Sequence, residues 1–335
     1  MHLRERARLG DARAPVIAWA PDGRALLRSD ADTSQVIAWS LDGQPTRAVD
    51  VYEGIDALCL SPDGRTLAAI TAPGDVEFWD LATGEHRAPR CFASLRATAL
   101  AWSADGAQLL IASVIEHDDA YLEPRVHADR VEPLGDDEYP APLVEAWNPF
   151  EERPLWALRW RATDLYADPT TELALAGDTV YLARAEGLYR ASAATHRLDD
   201  TLPADPHRWG PGLALCAPHT FAHWHREGDD ALCLWDLQRP LRHDERPTDL
   251  PHLHPFASQW LTHPACPVSL DPRRRYVALG DGRTVKLYAR HDLGLVAALT
   301  LDAGVTALRF SPDGDHLAAC LDDGTAAIVA LEGAP

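Results

Sequence analysis

The sequence predicts an all-β fold built from one antiparallel unit of four strands that is repeated along the chain. Three observations carry this prediction. A turn of the Pro-Asp-Gly type recurs with a period of about 42 residues, short apolar runs flank each turn, and an alternating apolar segment that ends in Trp follows it. Apolar residues make up 46% of the 335 residues, which is enough for a large core and excludes a wholly disordered chain.

The repeated turn has a physical basis in its residue types. Four copies occupy residues 19–23, 60–64, 102–106 and 310–314. Pro presets φ, Asp binds its own backbone and Gly takes a positive φ, so each copy is expected to form a tight turn between two strands. Asp22, Asp63 and Asp105 follow one another at this period, and Asp271 precedes Asp313 by the same interval. We interpret these aspartates as structural residues of the turns.

A second pattern, apolar-x-apolar-Trp, follows the turns. It is clear at residues 36–39, 76–80 and 232–236, and weaker at 143–147 and 285–288. Alternation of this kind is typical of a strand in an antiparallel sheet. A further turn, as at residues 81–85, and a short fourth strand complete each unit.

Four strands per unit and this repeat period resemble the WD40-repeat β-propeller family over essentially the whole chain. The Trp-Asp ending of the family is present at Trp79-Asp80 and at Trp235-Asp236. The Gly-His dipeptide of regular members is missing. Its absence bears on the hydrogen-bonded Asp–His–Ser/Thr–Trp tetrad of those members and does not bear on the fold. The Ala/Arg-rich composition and the degenerate repeats resemble bacterial members of the family.

The resemblance implies an all-β, seven-bladed β-propeller of four-stranded antiparallel blades in a single domain, residues 1–335. The expected blades are at about 13–50, 55–95, 97–161, 162–203, 204–262, 265–301 and 304–331. The last blade has only three strands, and residues 3–9 read as a fourth. We expect this N-terminal strand to join the last blade and close the ring, which removes exposed edge strands. Insertions are expected at about 115–142 and 238–255.

Charge and composition exclude several classes of function. The formal net charge of −20 repels a phosphate backbone, and the densest basic run, residues 273–275, is short, so we expect no nucleic-acid partner. The sequence has no apolar run of about 18 residues and its start has no apolar signal segment, so we expect no membrane partner and a cytoplasmic location. The six cysteines form no C-x-x-C pair and are interpreted as free thiols in a reducing compartment.

The insertion at 115–142 is the strongest candidate for a binding surface. It falls between the second and third strands of the third blade, which the resemblance places on the top face. From 116 to 142 it holds nine acidic residues and two arginines, a net charge of 2 − 9 = −7. It is either a loop that docks a basic protein partner or a solvated insert. The candidate contact residues are Glu116, Asp118, Asp119, Tyr121, Leu122, Asp136, Asp137, Glu138 and Tyr139.

Two further features of the second half of the chain are candidates. Trp209 lies in a Gly- and Pro-rich segment that enters the fifth blade, and it is either a buried plug near the central channel or an exposed binding residue. Histidines cluster between 207 and 263, and His219, His223 and His225 with Asp229 are the best candidates for a metal site. Histidines without a metal role are the alternative.

The function predicted from the sequence is a non-catalytic scaffold for protein–protein interaction that uses the top face. We expect no cofactor and no catalytic residue, because we find no G-x-S-x-G, phosphate-binding glycine loop or H-E-x-x-H. The alternative is a propeller enzyme, or a protein that binds a small ligand or metal in the central channel. This functional prediction rests on the resemblance in fold more than on a recognisable site.

Overall fold

The structure is a computed structural model that describes most of the chain. The described residues are 1–10, 16–30, 34–51, 54–90, 95–115, 143–148, 154–159, 172–184, 187–195, 197–203, 209–216, 220–225, 231–236 and 267–333. All regular secondary structure in these ranges is β-strand, and no helix within them could cross a lipid bilayer. The prediction of an all-β chain is confirmed over these residues.

The first half of the chain begins with β1 (His2–Leu9) and continues with sheets of four strands. Sheet 1 contains β2 (Ile17–Trp19), β3 (Ala25–Asp30), β4 (Gln35–Ser40) and β5 (Pro45–Asp50). Sheet 2 contains β6 (Ile55–Leu60), β7 (Thr66–Thr71), β8 (Val76–Asp80) and β9 (His86–Arg90). Sheet 3 contains β10 (Leu95–Trp102), β11 (Leu109–Ile115), β12 (Leu143–Trp147) and β13 (Pro154–Arg159).

The second half repeats this arrangement. Sheet 4 contains β14 (Glu172–Ala176), β15 (Thr179–Arg184), β16 (Gly187–Ser192) and β17 (Arg197–Pro203). The described part of sheet 5 contains β18 (Trp209–Cys216), β19 (Thr220–His225) and β20 (Ala231–Asp236). Sheet 6 contains β21 (Val268–Leu270), β22 (Tyr276–Asp281), β23 (Thr284–Ala289) and β24 (Leu295–Thr300). Sheet 7 contains β25 (Val305–Phe310), β26 (His316–Leu321) and β27 (Ala326–Glu332).

Strand order is sequential in sheets 1 to 6, and β1 joins sheet 7. Sheet 7 has the order β1-β27-β26-β25, and β1 is antiparallel to β27, with His2 opposite Glu332 and Leu9 opposite Ala326. The N-terminal strand therefore lies beside the last strand of sheet 7, as the sequence predicts. The ladder covers the outer edge of β27, which would otherwise present unpaired backbone groups.

The predicted turns join the first and second strands of their sheets. Gly23, Gly64, Gly106 and Gly314 take φ values of 68° to 71°, a conformation that costs glycine little. Each glycine donates its N–H to the carbonyl of the residue three positions earlier, such as Gly64 to Ser61 at 2.8 Å. These turns and those between third and fourth strands lie at the same end of each antiparallel sheet, which is called the bottom face below.

The turn of sheet 6 differs from the sequence prediction in its register. The spacing equates Asp271 with Asp313, but Arg274 donates its N–H to the Asp271 carbonyl at 2.8 Å, as Gly314 does to Ser311. Asp271 therefore takes the place of the serine, and Arg274 takes the place of the glycine with φ of 62°. The prediction was wrong here because it aligned the two turns by the number of residues between the two aspartates. The hydrogen bond shows instead which residue begins each turn.

The core lies between successive sheets. Alternate residues of one strand point to opposite faces, so each sheet packs against the sheet before it and the sheet after it. Between sheets 1 and 2, Leu27 and Val36 pack against Leu67 and Trp79. Between sheets 2 and 3, the opposite face of sheet 2 supplies residues such as Phe78. Trp79 and Trp147 of the third strands are therefore core residues.

The first strands of the sheets contact one another in chain order. The contacts run β2–β6, β6–β10, β10–β14, β14–β18, β18–β21 and β21–β25, and β25 also contacts β2. Sheet 7 packs on sheet 1 through a buried cluster that joins Cys320 and Ile328 to Ile17 and Trp19. The described sheets therefore form a propeller-like all-β arrangement in which the first strands lie innermost.

Both predicted insertions lie outside the described residues, except at their borders. The predicted start of the first insertion, Ile115, is the last residue of β11. Residues 116–142 and 237–266 are not described. The structure thus locates the first insertion between β11 and β12, the second and third strands of sheet 3, as predicted from the sequence.

Candidate functional site

The bottom-face turns of sheets 2, 3 and 7 share one hydrogen-bond motif. In sheet 2, Ser61 Oγ donates to Asp63 Oδ1 at 2.6 Å and accepts from the Thr66 N–H at 2.9 Å. The Arg65 N–H donates to the same carboxylate oxygen at 3.0 Å. Ser103 with Asp105 and Ser311 with Asp313 repeat this arrangement. Hydroxyl and carboxylate together saturate the turn, which makes these serines and aspartates structural.

These hydrogen bonds stabilise the charged form of the aspartates. The Ser61 hydroxyl and the Arg65 N–H lower the pKa of Asp63, and Ser103 does the same to the pKa of Asp105. Burial works against ionisation of Asp313, but the bonds from Ser311 and the Asp315 N–H outweigh it and its pKa is also lowered. None of these carboxyls is poised to act as a general acid or base near neutral pH.

Arginines connect the bottom-face turns of sheets 6 and 7. The Asp271 carboxylate is fully buried and accepts from Arg275 Nε at 2.8 Å. Arg275 Nη2 then donates to the Gly314 carbonyl at 2.8 Å, and Arg273 Nη1 donates to Asp315 Oδ1 at 2.8 Å. Burial lowers the pKa of Arg275, whereas the Asp271 carboxylate raises it. The net effect is a raised pKa. Neighbouring turns are thus linked by charged hydrogen bonds.

Ion pairs connect β1 to three sheets. His2 Nε2 lies 2.7 Å from a carboxylate oxygen of Glu332 in its own sheet. Arg6 Nη2 lies 2.9 Å from Asp42 in the β4–β5 turn of sheet 1. Arg8 Nη2 lies 3.4 Å from Asp302, which follows β24 of sheet 6. Each pair is partly exposed and contributes little by itself, but together they orient β1 between its neighbours.

Polar side chains connect the first strands of different sheets. Arg309 Nη2 on β25 lies 2.9 Å from Glu172 Oε1 on β14, so the pair joins sheets 7 and 4. Arg96 on β10 lies 3.2 Å from Asp56 on β6. The Trp19 indole N–H donates to the Arg309 carbonyl at 3.0 Å and holds that part of β25 against sheet 1. These contacts could not be predicted from the sequence because their members are far apart in the chain.

Tryptophan hydrogen bonding also differs between sheets. Trp147 Nε1 donates to Glu145 Oε2 at 3.1 Å, within one strand, and the Glu145 side chain is buried. Glu77 and Trp79 have the same spacing in sheet 2, but there a histidine contacts both residues. His86 Nε2 lies 3.4 Å from the Glu77 carboxylate, and the centroid of the His86 ring lies 5.1 Å from that of the Trp79 ring. A Glu-x-Trp pattern in the third strand could have signalled these pairs.

The predicted contact residues of the acidic insertion lie outside the described residues. This concerns Glu116, Asp118, Asp119, Tyr121, Leu122, Asp136, Asp137, Glu138 and Tyr139. Trp209 is the first residue of β18, where its backbone pairs with His225, and its side chain is outside the described set. The choice between a plug and a binding residue for Trp209 stays open, and the insertion site stays a prediction.

The histidine site also stays a prediction. His219 lies outside the described residues, and His223 and His225 are described only as backbone of β19. In the described part of the chain, no three His, Cys, Asp or Glu side chains are grouped as metal ligands. Cys59 and Cys320 are thiols rather than disulfides, and burial raises the pKa of each to about 12, so both are protonated and unreactive.

Comparison with protein families gives one match. The family described as WD40: WD domain, G-beta repeat matches residues 296–328. These residues are therefore similar to one WD40 repeat. The matched segment runs from β24 of sheet 6 into β27 of sheet 7, so the sequence repeat is offset from the sheet by one strand. In a search of curated proteins, no sequence matches the chain.

The offset explains why sheet 7 needs β1. The matched repeat supplies the last strand of one sheet and the first three strands of the next. The same division leaves β25, β26 and β27 without a fourth strand from their own segment, and β1 takes that place. Chemically, the described arrangement is a frame of cross-linked sheets and turns that can present loops in fixed positions.

Proposed function

We propose that this protein is a WD40-repeat protein and a non-catalytic scaffold for protein–protein interaction, formed by one domain of residues 1–335. We further propose that its seven sheets are the blades of a closed propeller. The contacts between successive first strands, the contact of β25 with β2 and the pairing of β1 with β27 support the ring. The match to the WD40 repeat at 296–328 carries the functional part of the proposal.

The proposed binding surface is the acidic insertion on the top face. The insertion follows β11 and precedes β12, which are paired neighbours in sheet 3. The sheet therefore fixes the two positions at which the insertion is attached. Its net charge of 2 − 9 = −7 favours a basic protein partner through electrostatic steering. Tyr121, Leu122 and Tyr139 are the proposed apolar contacts within this charged segment.

A capture experiment with matched variants tests the proposal. Full-length protein is used as bait beside a variant in which residues 116–141 are replaced by a short Gly-Ser linker. The matched control replaces 238–255 with the same linker. We expect a protein partner that binds the full chain and the control, is lost from the 116–141 variant, and dissociates as the salt concentration is raised.

A second variant separates charge from length. It keeps the insertion and changes Asp118, Asp119, Asp136, Asp137 and Glu138 to the corresponding amides. We expect the association rate of the partner to fall, because steering depends on these charges. Retention of the same partner by the 116–141 variant would overturn the proposed surface. Absence of any protein partner of the full chain would count against the scaffold function itself.

We also propose that the protein is cytoplasmic and of bacterial type. The buried, protonated thiols of Cys59 and Cys320 are compatible with a reducing compartment. Fractionation of the native cells, with detection of the chain by a specific antibody, tests the location. Recovery from the cytoplasmic fraction is the expected result, and recovery from an extracellular or membrane fraction would contradict it.

A further inference from the structure

A second surface, on the bottom face between sheets 5 and 6, contains hydrogen-bond donors that have no partner among the described residues. Thr220 is 1% exposed, and its Oγ1 has no hydrogen-bond partner in the described part of the protein. Nε of Arg290 is buried and also has none there. Buried donors are normally paired, so these two unpaired donors require an explanation.

The strands bring these two residues to the same interface. Thr220 is two residues before Ala222 on β19, and Ala222 packs against sheet 6, so both side chains point toward sheet 6. Cys216 lies opposite Thr220 in the ladder and packs against the same cluster. Arg290 follows Tyr288, which belongs to that cluster, by two residues.

Two arginines bring positive charge to this interface. Burial and, to a smaller extent, the Asp271 carboxylate raise the pKa of the Cys216 thiol. The positive charges of Arg290 and Arg274 oppose this increase. The turns that carry them are joined, because the Arg290 N–H donates to the Arg275 carbonyl at 2.9 Å. Within the ranges that the structure describes, neither Arg274 nor Arg290 forms an ion pair.

The acidic residues nearby are already engaged. The Asp271 carboxylate accepts from Arg275 Nε at 2.8 Å and from the Arg273 N–H at 3.0 Å. The Asp292 carboxylate accepts from the Gly294 N–H at 2.9 Å and lies 3.3 Å from His291. The backbone is held away from its preferred conformation at this place, since Arg274 has φ of 62° and Leu293 has φ of 50°.

We propose that the side chains of Cys216, Thr220, Arg274 and Arg290, at the interface of sheets 5 and 6, form a site that binds an oxyanion. Guanidinium groups and a hydroxyl are the donors that recognise phosphate and carboxylate oxygens. The ligand is a phosphate or a carboxylate group, free or carried by a larger molecule. This site is independent of the acidic insertion, which it neither includes nor requires.

A titration with simple anions tests the proposed site directly. Inorganic phosphate and, in a separate arm, acetate are added to the full chain at constant ionic strength, with chloride as the compensating salt. The Nε–Hε signal of Arg290 is followed by heteronuclear NMR and assigned through the loss of that signal in Arg290→Gln. We expect a saturable shift in at least one arm, with phosphate alone indicating a phosphate ligand and acetate alone a carboxylate.

Variants identify the residues that bind. We expect Arg274→Gly and Thr220→Val each to weaken binding, with about a tenfold loss for the charged residue. Arg65→Gln is the matched control, because Arg65 is exposed on the equivalent turn of sheet 2. The proposal is overturned if neither anion gives a saturable shift, or if Arg65→Gln weakens binding as much as Arg274→Gly. The far-ultraviolet circular dichroism of each variant verifies that it is folded.

Discussion

Arg309 and Glu172 form an ion pair of 2.9 Å between sheets 7 and 4, although they lie far apart in the chain. The strands that carry them, β25 and β14, are innermost strands of sheets that do not follow one another. The ion pair brings the first strands of these two sheets within reach of each other's side chains. It therefore supports the proposed ring more directly than any contact between neighbouring sheets.

Charge reversal at this pair tests its geometry. We expect Glu172→Arg and Arg309→Glu each to lower the free energy of unfolding by less than about 1 kcal/mol, since the Arg309 side chain is half exposed. The double variant restores the attraction, so we expect it to recover most of the lost free energy of unfolding. Urea unfolding of the four forms measures the coupling. Losses that simply add in the double variant would mean that the two charges do not interact in solution.

The left-handed arginine of sheet 6 predicts a stabilising substitution. Arg274 has φ of 62° at the place where the other bottom-face turns have glycine. We expect Arg274→Gly to raise the free energy of unfolding by up to about 1 kcal/mol, since relief of strain exceeds the entropy that glycine adds to the unfolded chain. Thermal unfolding measures the effect. Arg273→Gly is the control, and it should not stabilise, because Arg273 loses its bond to Asp315.

The serine of the bottom-face turn predicts a local change in acidity. Ser61→Ala removes the hydroxyl that lowers the pKa of Asp63, so that pKa should move up toward its ordinary value of 3.8. Carboxyl carbon NMR during an acid titration measures it. Asp105 keeps its bond to Ser103 and serves as an internal reference in the same sample. An equal change at both aspartates would show a global rather than a local effect.

The two buried tryptophans with the same spacing predict different losses. Trp147→Phe removes a hydrogen bond of 3.1 Å to the buried Glu145 carboxylate, in addition to contact area. Trp79→Phe removes an indole N–H that has no hydrogen-bond partner among the described residues. We expect Trp147→Phe to cost about 1–3 kcal/mol more than Trp79→Phe, as measured by urea unfolding. Equal losses would show that the Glu145 bond adds no net stability.

His316 predicts a loss of stability on mild acidification. Burial lowers the pKa of its imidazole from 6.5, and Asp313 opposes this only in part. The unfolded chain binds this proton more readily, so stability decreases as the pH falls below 6.5 and is unaffected above it. His316→Phe keeps an aromatic ring beside Trp19 and should reduce the difference in unfolding free energy between about pH 7.5 and about pH 5. An unchanged difference would contradict this.

The fold was predictable wherever one short segment carries its own signal. The Gly64 turn, the Trp79 strand and the N-terminal strand at Leu3–Leu9 could all be recognised, because turn chemistry and alternation are local properties. The exchange of roles at Asp271 and Arg274 could not, because an arginine at positive φ has no sequence signal.

Side-chain convergence was beyond the reach of the sequence. Arg309 meets Glu172 only because the order of the sheets brings distant strands together. Alternation predicts which face of a strand a residue occupies, but it does not predict which strand lies opposite. The acidic insertion was singled out by charge alone, and its role is therefore tested by the capture experiment rather than by geometry.

The pairing of β1 with β27 has a consequence for how the protein is made. His2 lies opposite Glu332, and Leu9 lies opposite Ala326, so β1 leaves the ribosome long before the strand with which it pairs. Until β27 has been synthesised, Leu3 and Leu9 have no core to enter, although both are buried in the finished protein. Their protection during that interval depends on the speed of translation and on chaperones that bind exposed apolar segments.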